Sequence, residues 1–194
     1  MYADLISFKH ESIGKNIMFI SANIIKADSW MELNKKINSS KEELIIAEGG
    51  ELNRLILENK RVDIIVGAEK NKKNDFLHYR NSGLNQVLCK LARKNDIAVA
   101  FNFNEVLKLK GAGRSQLIGR MMQNVRMCRK YGVRMIIASF ATNKFELKNP
   151  SDLMSFGMIL GMTPKEAKDG LENVSYFLSD KKEKITDGLR IIKK

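Results

Sequence analysis

Histidine is scarce in this sequence: His10 and His78 are the only two among 194 residues. Metal-dependent hydrolases on α/β frames gather several His, Asp or Glu ligands at one place, and two histidines do not build such a cluster. Asp4, Glu48, Asp63, Glu69 and Glu105 fall near expected strand ends, yet no His-x-His or Asp-x-Asp pair organises them. The expectation is a chain with no metal site, no bound cofactor and no catalytic residue. Cysteine is equally sparse. Cys89 and Cys128 lie far apart and outside any Cys-x-x-Cys pair, which excludes a zinc knuckle or redox dithiol motif and leaves two small core residues. A Gly-x-Ser-x-Gly elbow, a Walker loop and a Gly-x-Gly-x-x-Gly turn are all missing. No apolar run approaches the roughly 20 residues of a spanning helix. Asp4 also interrupts the start, where a secretory signal would be basic and then apolar. These absences predict a cytoplasmic protein with no membrane partner.

Negative charge is missing from one long stretch. Between Val106 and Phe145 there is no Asp or Glu, while Lys108, Lys110, Arg114, Arg120, Arg126, Arg129, Lys130, Arg134 and Lys144 all lie there. The whole chain carries a formal charge of +12, so much of the excess is local. A solvated surface normally mixes both signs, and a one-sign stretch of this length points to a polyanion.

What is present is a regular alternation of short aliphatic runs with longer helix-period segments. The runs fall at residues 2–6, 17–25, 44–47, 62–67, 97–101, 135–140 and 188–192. Most are apolar at consecutive positions, as in strands covered on both faces, and βα order makes such strands parallel. Seven of them predict an incomplete or irregular (β/α) barrel, folded as a single α/β domain over residues 1–194. Asp28 or Ser29 caps a helix carrying Trp30, Leu33 and Ile37; Pro150 and Pro164 mark two later helix starts. Residues 179–184 read as a solvated linker.

Two segments carry the candidate binding residues. On the helix expected over 114–131, Leu117, Met121, Val125 and Cys128 form an apolar stripe, which turns Gln116, Arg120, Gln123, Arg126 and Lys130 outward. Ahead of it, Lys108, Lys110, Gly111, Gly113 and Arg114 place glycines and cations at the positive end of a helix, a setting suited to phosphate. Ser115 reads as a capping or phosphate-binding hydroxyl. The second segment is the long connection over 69–85, where Lys70, Lys72 and Arg80 interleave with Phe76, His78 and Tyr79. Such a mixture contacts phosphates and stacks on unpaired bases; alternatively, Phe76 and Leu77 close the barrel mouth. Lys144 completes the candidate RNA-binding set.

Residues 76–85, Phe-Leu-His-Tyr-Arg-Asn-Ser-Gly-Leu-Asn, followed by Leu91-Ala92-Arg93-Lys94-Asn95, resemble the signature of archaeal ribonuclease P protein component three. So do residues 113–124, with Cys128-Arg129-Lys130-Tyr131 and Ile136-Ile137-Ala138-Ser139 behind them. The resemblance implies a barrel related to metal-dependent PHP phosphoesterases but stripped of their metal motif. Where those enzymes carry Asp-Leu-His-x-His, this chain has Asp4-Leu5-Ile6-Ser7-Phe8. It further implies a noncatalytic subunit of ribonuclease P, an endoribonuclease that matures the 5′ end of precursor tRNA. The implied partners are the ribonuclease P RNA, precursor tRNA through the complex, and another small protein subunit in a heterodimer or heterotetramer; Mg2+ would serve the RNA. A competing reading is a barrel enzyme that takes a small phosphorylated substrate at Gly111 to Arg114.

Overall fold

The computed structural model describes residues 2–8 and 17–178, together with two short strands at 184–186 and 189–190. The chain opens with strands β1 (Tyr2–Ile6), β2 (Ile17–Ser21) and β3 (Ile24–Ile25), and helix α1 (Trp30–Ser39) follows. Next come β4 (Ile46–Glu48), α2 (Asn53–Glu58), β5 (Ile64–Val66), α3 (Gln86–Lys94) and β6 (Ala98–Asn102). The second half holds α4 (Phe103–Lys108), α5 (Gly111–Tyr131), β7 (Met135–Ala138), a 3-10 turn at Lys144–Glu146, α6 (Pro150–Ile159) and α7 (Pro164–Leu178). Ser29 caps α1, its hydroxyl accepting from Glu32 N. Prolines open α6 and α7, where a missing N–H costs no helical bond.

All pairings among β1 to β7 are parallel. One set is β1-β2 and the other β3-β4-β5-β6-β7. Only Ala22 and Asn23 separate β2 from β3, so the two form one stave that pairs with β1 along its first half and β4 along its second. The ring closes where Phe140 N donates to Leu5 O at 2.9 Å and Ser7 N to Ala141 O at 2.8 Å. The barrel expected from the sequence is therefore present, with six staves. Among the described residues no seventh stave joins it. Residues 189–190 form β9, which pairs antiparallel with β8 (Lys184–Thr186) in a separate ribbon. The backbone bonds of β9 go to β8, the neighbouring segment in sequence, and an apolar run alone does not fix which strand it joins. Of the expected linker over 179–184, residues 179–183 lie outside the described residues and Lys184 opens β8; His10 also lies outside them.

Alternation within each strand explains why the runs are apolar at every position. Ile64 and Val66, Ala98 and Ala100, and Ile136 and Ala138 face the barrel interior; Ile65, Val99, Phe101, Met135 and Ile137 face the helices. Ala3, Ala98, Ala100 and Ala138 suit a narrow six-stave interior, where large side chains from every strand would collide. Val174 and Phe177 of α7 join that interior group at the β7/β1 seam. Cys89 and Cys128 are free and buried in the outer layer. Among the described residues no helix is long and apolar enough to cross a membrane.

Candidate nucleic-acid interface

The connection between β5 and α3 is rich in Asn, Lys and small residues, and its buried backbone groups need partners from elsewhere. Amide side chains supply many of them. Asn53 of α2 accepts from Gly50 N at 2.8 Å and donates to Ala68 O at 2.8 Å and Gly83 O at 3.0 Å. Gly83 has φ +81°, and a Cβ there would sit 1.8 Å from Ala68 O, so only glycine fits. Asn71 Nδ2 donates to Asn81 O at 2.6 Å, and Asn81 Nδ2 to Asn74 O. From α5, Gln123 exchanges bonds with Arg80 N and O and reaches Ser82 Oγ, while Asn124 Nδ2 donates to Ser82 O at 2.9 Å.

Arg120 completes this lock. Its Nε donates to Asp75 Oδ1 at 2.8 Å, its Nη1 to the carbonyls of Glu69 and Asn71 at 3.1 Å each, and its Nη2 to Lys73 O. The residue is only 6% exposed. Burial pushes the Asp75 carboxyl upward, but the Arg120 guanidinium and Asn81 N–H prevail and hold it below the usual range. The expectation that Arg120 turns outward is thus corrected. Helical spacing places it on a margin of α5 that the loop covers, and a loop laid over that margin cannot be read from periodicity.

With the backbone fixed by polar groups, the loop's large side chains stand in solvent. Phe76 is 58% exposed, Leu77 93% and Tyr79 56%. They do not close the barrel mouth. Phe76 N donates to Tyr79 O at 2.9 Å, and the two rings stack with centroids 4.6 Å apart and planes 26° from parallel. Leu77 and His78 form the tip between them. Lys72, Lys73 and Arg80 are exposed around this pair, with the Arg80 guanidinium lying over Gly119 of α5. The result is an exposed, stacked aromatic pair on a hydrogen-bonded loop edged by cations, a combination suited to bases and phosphates together.

The basic stretch divides in two. Besides Arg120, Arg114 bends back to give its Nε to Leu109 O at 2.7 Å and its Nη2 to Leu107 O at 3.2 Å, satisfying carbonyls at the end of α4. Arg129 pairs with Glu166 at 2.6 Å, and Arg134 pairs with Asp96 at 3.1 Å while covering the Tyr176 ring. Lys108, Lys110, Arg126, Lys130 and Lys144 are exposed. Helix α5 starts at Gly111 with no side-chain cap; Ser115 does not provide one, since its hydroxyl donates to Gly111 O.

Lys70 also departs from expectation. Its ammonium lies 2.8 Å from Glu48 Oε1 and 3.0 Å from Glu105 Oε2 at the barrel mouth, with Lys26 3.4 Å from Glu48 Oε2. It faces a cavity of about 390 Å³ shared with Ser7, Asn23, Lys26, Glu48 and Glu105. The other acidic candidates are bonded within the protein or buried away from solvent. Asp4 accepts from Ser139 N and Oγ at 2.6 Å each, and burial raises its pKa to about 6 against those bonds. Asp63 lies at the opposite end of β5, accepting from Ile45 N. Glu69 is 1% exposed, neither side-chain oxygen has a hydrogen-bond partner among the described residues, and burial raises its pKa to about 7. Among the described residues no three His, Cys, Asp or Glu side chains converge on a metal position. With Ile6 buried and apolar and both mouth carboxylates bound to Lys70, these residues do not fit the metal centre of a phosphoesterase.

A different exposed surface lies between α4 and α6, where Phe103, Leu107, Phe156 and Ile159 line an apolar groove. Lys148 sits at its edge over the Phe103 ring, and nearby in sequence Phe145 is 96% exposed.

The family described as RNase P subunit p30 matches residues 3–186. The ribonuclease P protein component 3 of Methanosarcina mazei is 34% identical over 140 residues, covering 72% of this chain and 55% of that protein. Its namesake in Methanocaldococcus jannaschii is 32% identical over 136 residues, 68% of this chain and 56% of the other. The chain thus spans about half the length of these relatives. The fold is also similar to a chain in the cryo-electron-microscopy structure of archaeal ribonuclease P with mature tRNA. The TM-score is 0.72 at 28% identity, over 93% of this chain and 78% of that one.

Proposed function

The chain belongs to the ribonuclease P subunit p30 family, and we propose that it is a noncatalytic, RNA-binding subunit of a cytoplasmic ribonuclease P particle. In this reading the particle's RNA, with Mg2+, performs the 5′ cleavage of precursor tRNA. The protein supplies contacts. The observation that carries it is the locked loop, in which a stacked Phe76–Tyr79 pair stands exposed beside Lys72, Lys73 and Arg80. Exposed aromatics held rigid lose little entropy when a base lands on them, and adjacent cations release counterions from phosphate. Lys108, Lys110, Arg126, Lys130 and Lys144 extend the same chemistry. The apolar groove between α4 and α6, with Lys148 at its edge, suits the second protein subunit.

A small phosphorylated substrate at Gly111 to Arg114 is the weaker reading. The Arg114 guanidinium is already held by two carbonyls, and both glycines face open space with no walls to enclose a small ligand. A particle assembled with a ribonuclease P RNA, the partner subunit and precursor tRNA tests the function. Charge reversal at Lys108, Lys110 and Lys130 should raise the magnesium needed for cleavage and leave the cleavage position unchanged. An unchanged magnesium curve removes these cations from the mechanism, and cleavage without the RNA ends the reading.

A further inference from the structure

The barrel mouth holds two carboxylates from neighbouring parts of the ring. Glu48 ends β4 and Glu105 sits in the first turn of α4, just after β6; Lys70 follows β5, the strand between them. Parallel pairing brings the C-terminal ends of β4, β5 and β6 to the same mouth, so the two carboxylates share that end whatever their charge. Each then meets the same ammonium, at 2.8 and 3.0 Å. The Lys70 side chain is 29% exposed and those of Glu48 and Glu105 21% and 28%, which leaves water only partial access to screen them. Among the described residues the other cation in contact is Lys26, which reaches Glu48 alone and is 67% exposed.

We propose that the Lys70 ammonium is the built-in cation of the barrel mouth, bridging Glu48 and Glu105 in the role a divalent metal plays between carboxylates, so that the pair is a masked divalent-cation site. An ammonium is a compact charge with three donors and no geometric demand beyond contact, which lets it occupy such a gap. Charge and hydrogen bonding agree with this. Burial of Lys70 works against its charge, yet the bonds to Glu48 and Glu105 win and raise its pKa. Glu48 responds in kind: burial pushes it up, and Lys70 and then Lys26 bring it below the usual range. Carboxylate oxygens are the donors that Mn2+ and Mg2+ select, so removing the ammonium should expose a site for either.

The test uses the full chain as wild type, Lys70→Met, and the triple variant Glu48→Gln/Lys70→Met/Glu105→Gln. Bound Mn2+ is counted by electron paramagnetic resonance, and thermal unfolding is followed with and without Mn2+ and Mg2+. The expected result is one Mn2+ per Lys70→Met chain, bound at least tenfold more tightly than by wild type. A lowered melting temperature should recover with Mn2+, and the triple variant should fold and bind none. Should Lys70→Met fail to fold alone, recovery on adding Mn2+ supports the proposal equally. Three results overturn it: Mn2+ binding unaltered by Lys70→Met, a Lys70→Met chain that Mn2+ does not restore while the triple variant folds, or a triple variant that does not fold. In the last case Lys70 supplies something other than compensation for two carboxylates.

Discussion

Arg120 and Arg126 stand six residues apart on α5 and do opposite work. Arg120 is buried, and its guanidinium holds one carboxylate and three backbone carbonyls of the 69–83 loop. Arg126 is exposed and belongs to the side of the helix that faces solvent. A one-sign charge run therefore mixes clamps with contacts, and its length overstates the surface offered to a polyanion. Four of the nine cations between Val106 and Phe145 are committed internally: Arg114, Arg120, Arg129 and Arg134. All four are arginines, whose planar fork satisfies several acceptors at once, whereas every lysine of the stretch stays exposed.

The largest expected effect is on the inner side. Removing Arg120 leaves three carbonyls without that donor and Asp75 with only the Asn81 N–H and the more distant Arg80, and breaking such a largely buried pair costs up to roughly 3–5 kcal/mol. Arg120→Lys should recover only part of this, because one ammonium cannot reach four acceptors spread over residues 69–75. Arg126→Ala should stay within about 0.5 kcal/mol of wild type. Urea unfolding measures all three, and equal losses for Arg120→Ala and Arg126→Ala would abolish the distinction between clamp and contact.

Next in size is a pH effect from beneath the same loop. Glu69 has a folded pKa of about 7 against an ordinary value of 4.5, because burial disfavours its charge. Its folded form holds the proton more tightly, so its contribution to stability is complete below pH 4.5 and is lost as pH rises through 7. Glu69→Gln should leave stability unchanged in acid and raise it above neutrality, by on the order of 2–3 kcal/mol. Asp4, raised to about 6, titrates in the same direction and keeps its share in the variant. If Glu69→Gln destabilises at pH 8, the ionised carboxylate has a partner that sustains it.

On the outer side, Phe76→Ala and Tyr79→Ala should weaken binding of single-stranded RNA by about 1–3 kcal/mol for each base that stacks. Their unfolding curves should stay close to wild type, since both rings are more than half exposed. Fluorescence anisotropy with a labelled oligonucleotide reads the affinity, and full-strength binding by both variants would leave the platform without a role in RNA contact.

Much of the fold was legible in the sequence because its signals are local. Aliphatic runs marked the six staves, and the stripe Leu117, Met121, Val125, Cys128 gave the buried face of α5. The loop was found by its mixture of Lys and aromatic residues, and Lys72 and Arg80 are exposed there as expected. What stayed hidden depends on contacts between distant segments. Asn53 reaches Gly83, Gln123 reaches Arg80, and Lys70 joins Glu48 to Glu105. Nothing in the spacing of those residues signals the pairing. Arg120 illustrates the limit: periodicity turns it outward with Arg126 and Lys130, and the loop that covers it comes from 45 residues away.

The smallest effect separates the exposed lysines and Arg126 from the committed arginines by salt dependence. Each cation that neutralises a phosphate releases counterions, so losing one should make the log–log slope of RNA affinity against salt shallower by about one unit. Arg126→Ala and Lys130→Ala should each do this while changing affinity at a fixed moderate salt by less than about tenfold, since the phosphate term is spread over several cations. Arg114→Ala is the internal control. Its guanidinium is held by Leu107 O and Leu109 O, so its loss should loosen the α4–α5 junction and leave the slope nearly unchanged. The comparison needs no change in fold to be read, because the slope reports how many charges meet phosphate, whereas a loosened junction lowers affinity equally at every salt concentration. A slope that shifts for Arg114→Ala as much as for Arg126→Ala would mean that Arg114 abandons the carbonyls of α4 when RNA arrives, and the division of α5 into clamps and contacts would then hold only for the free protein.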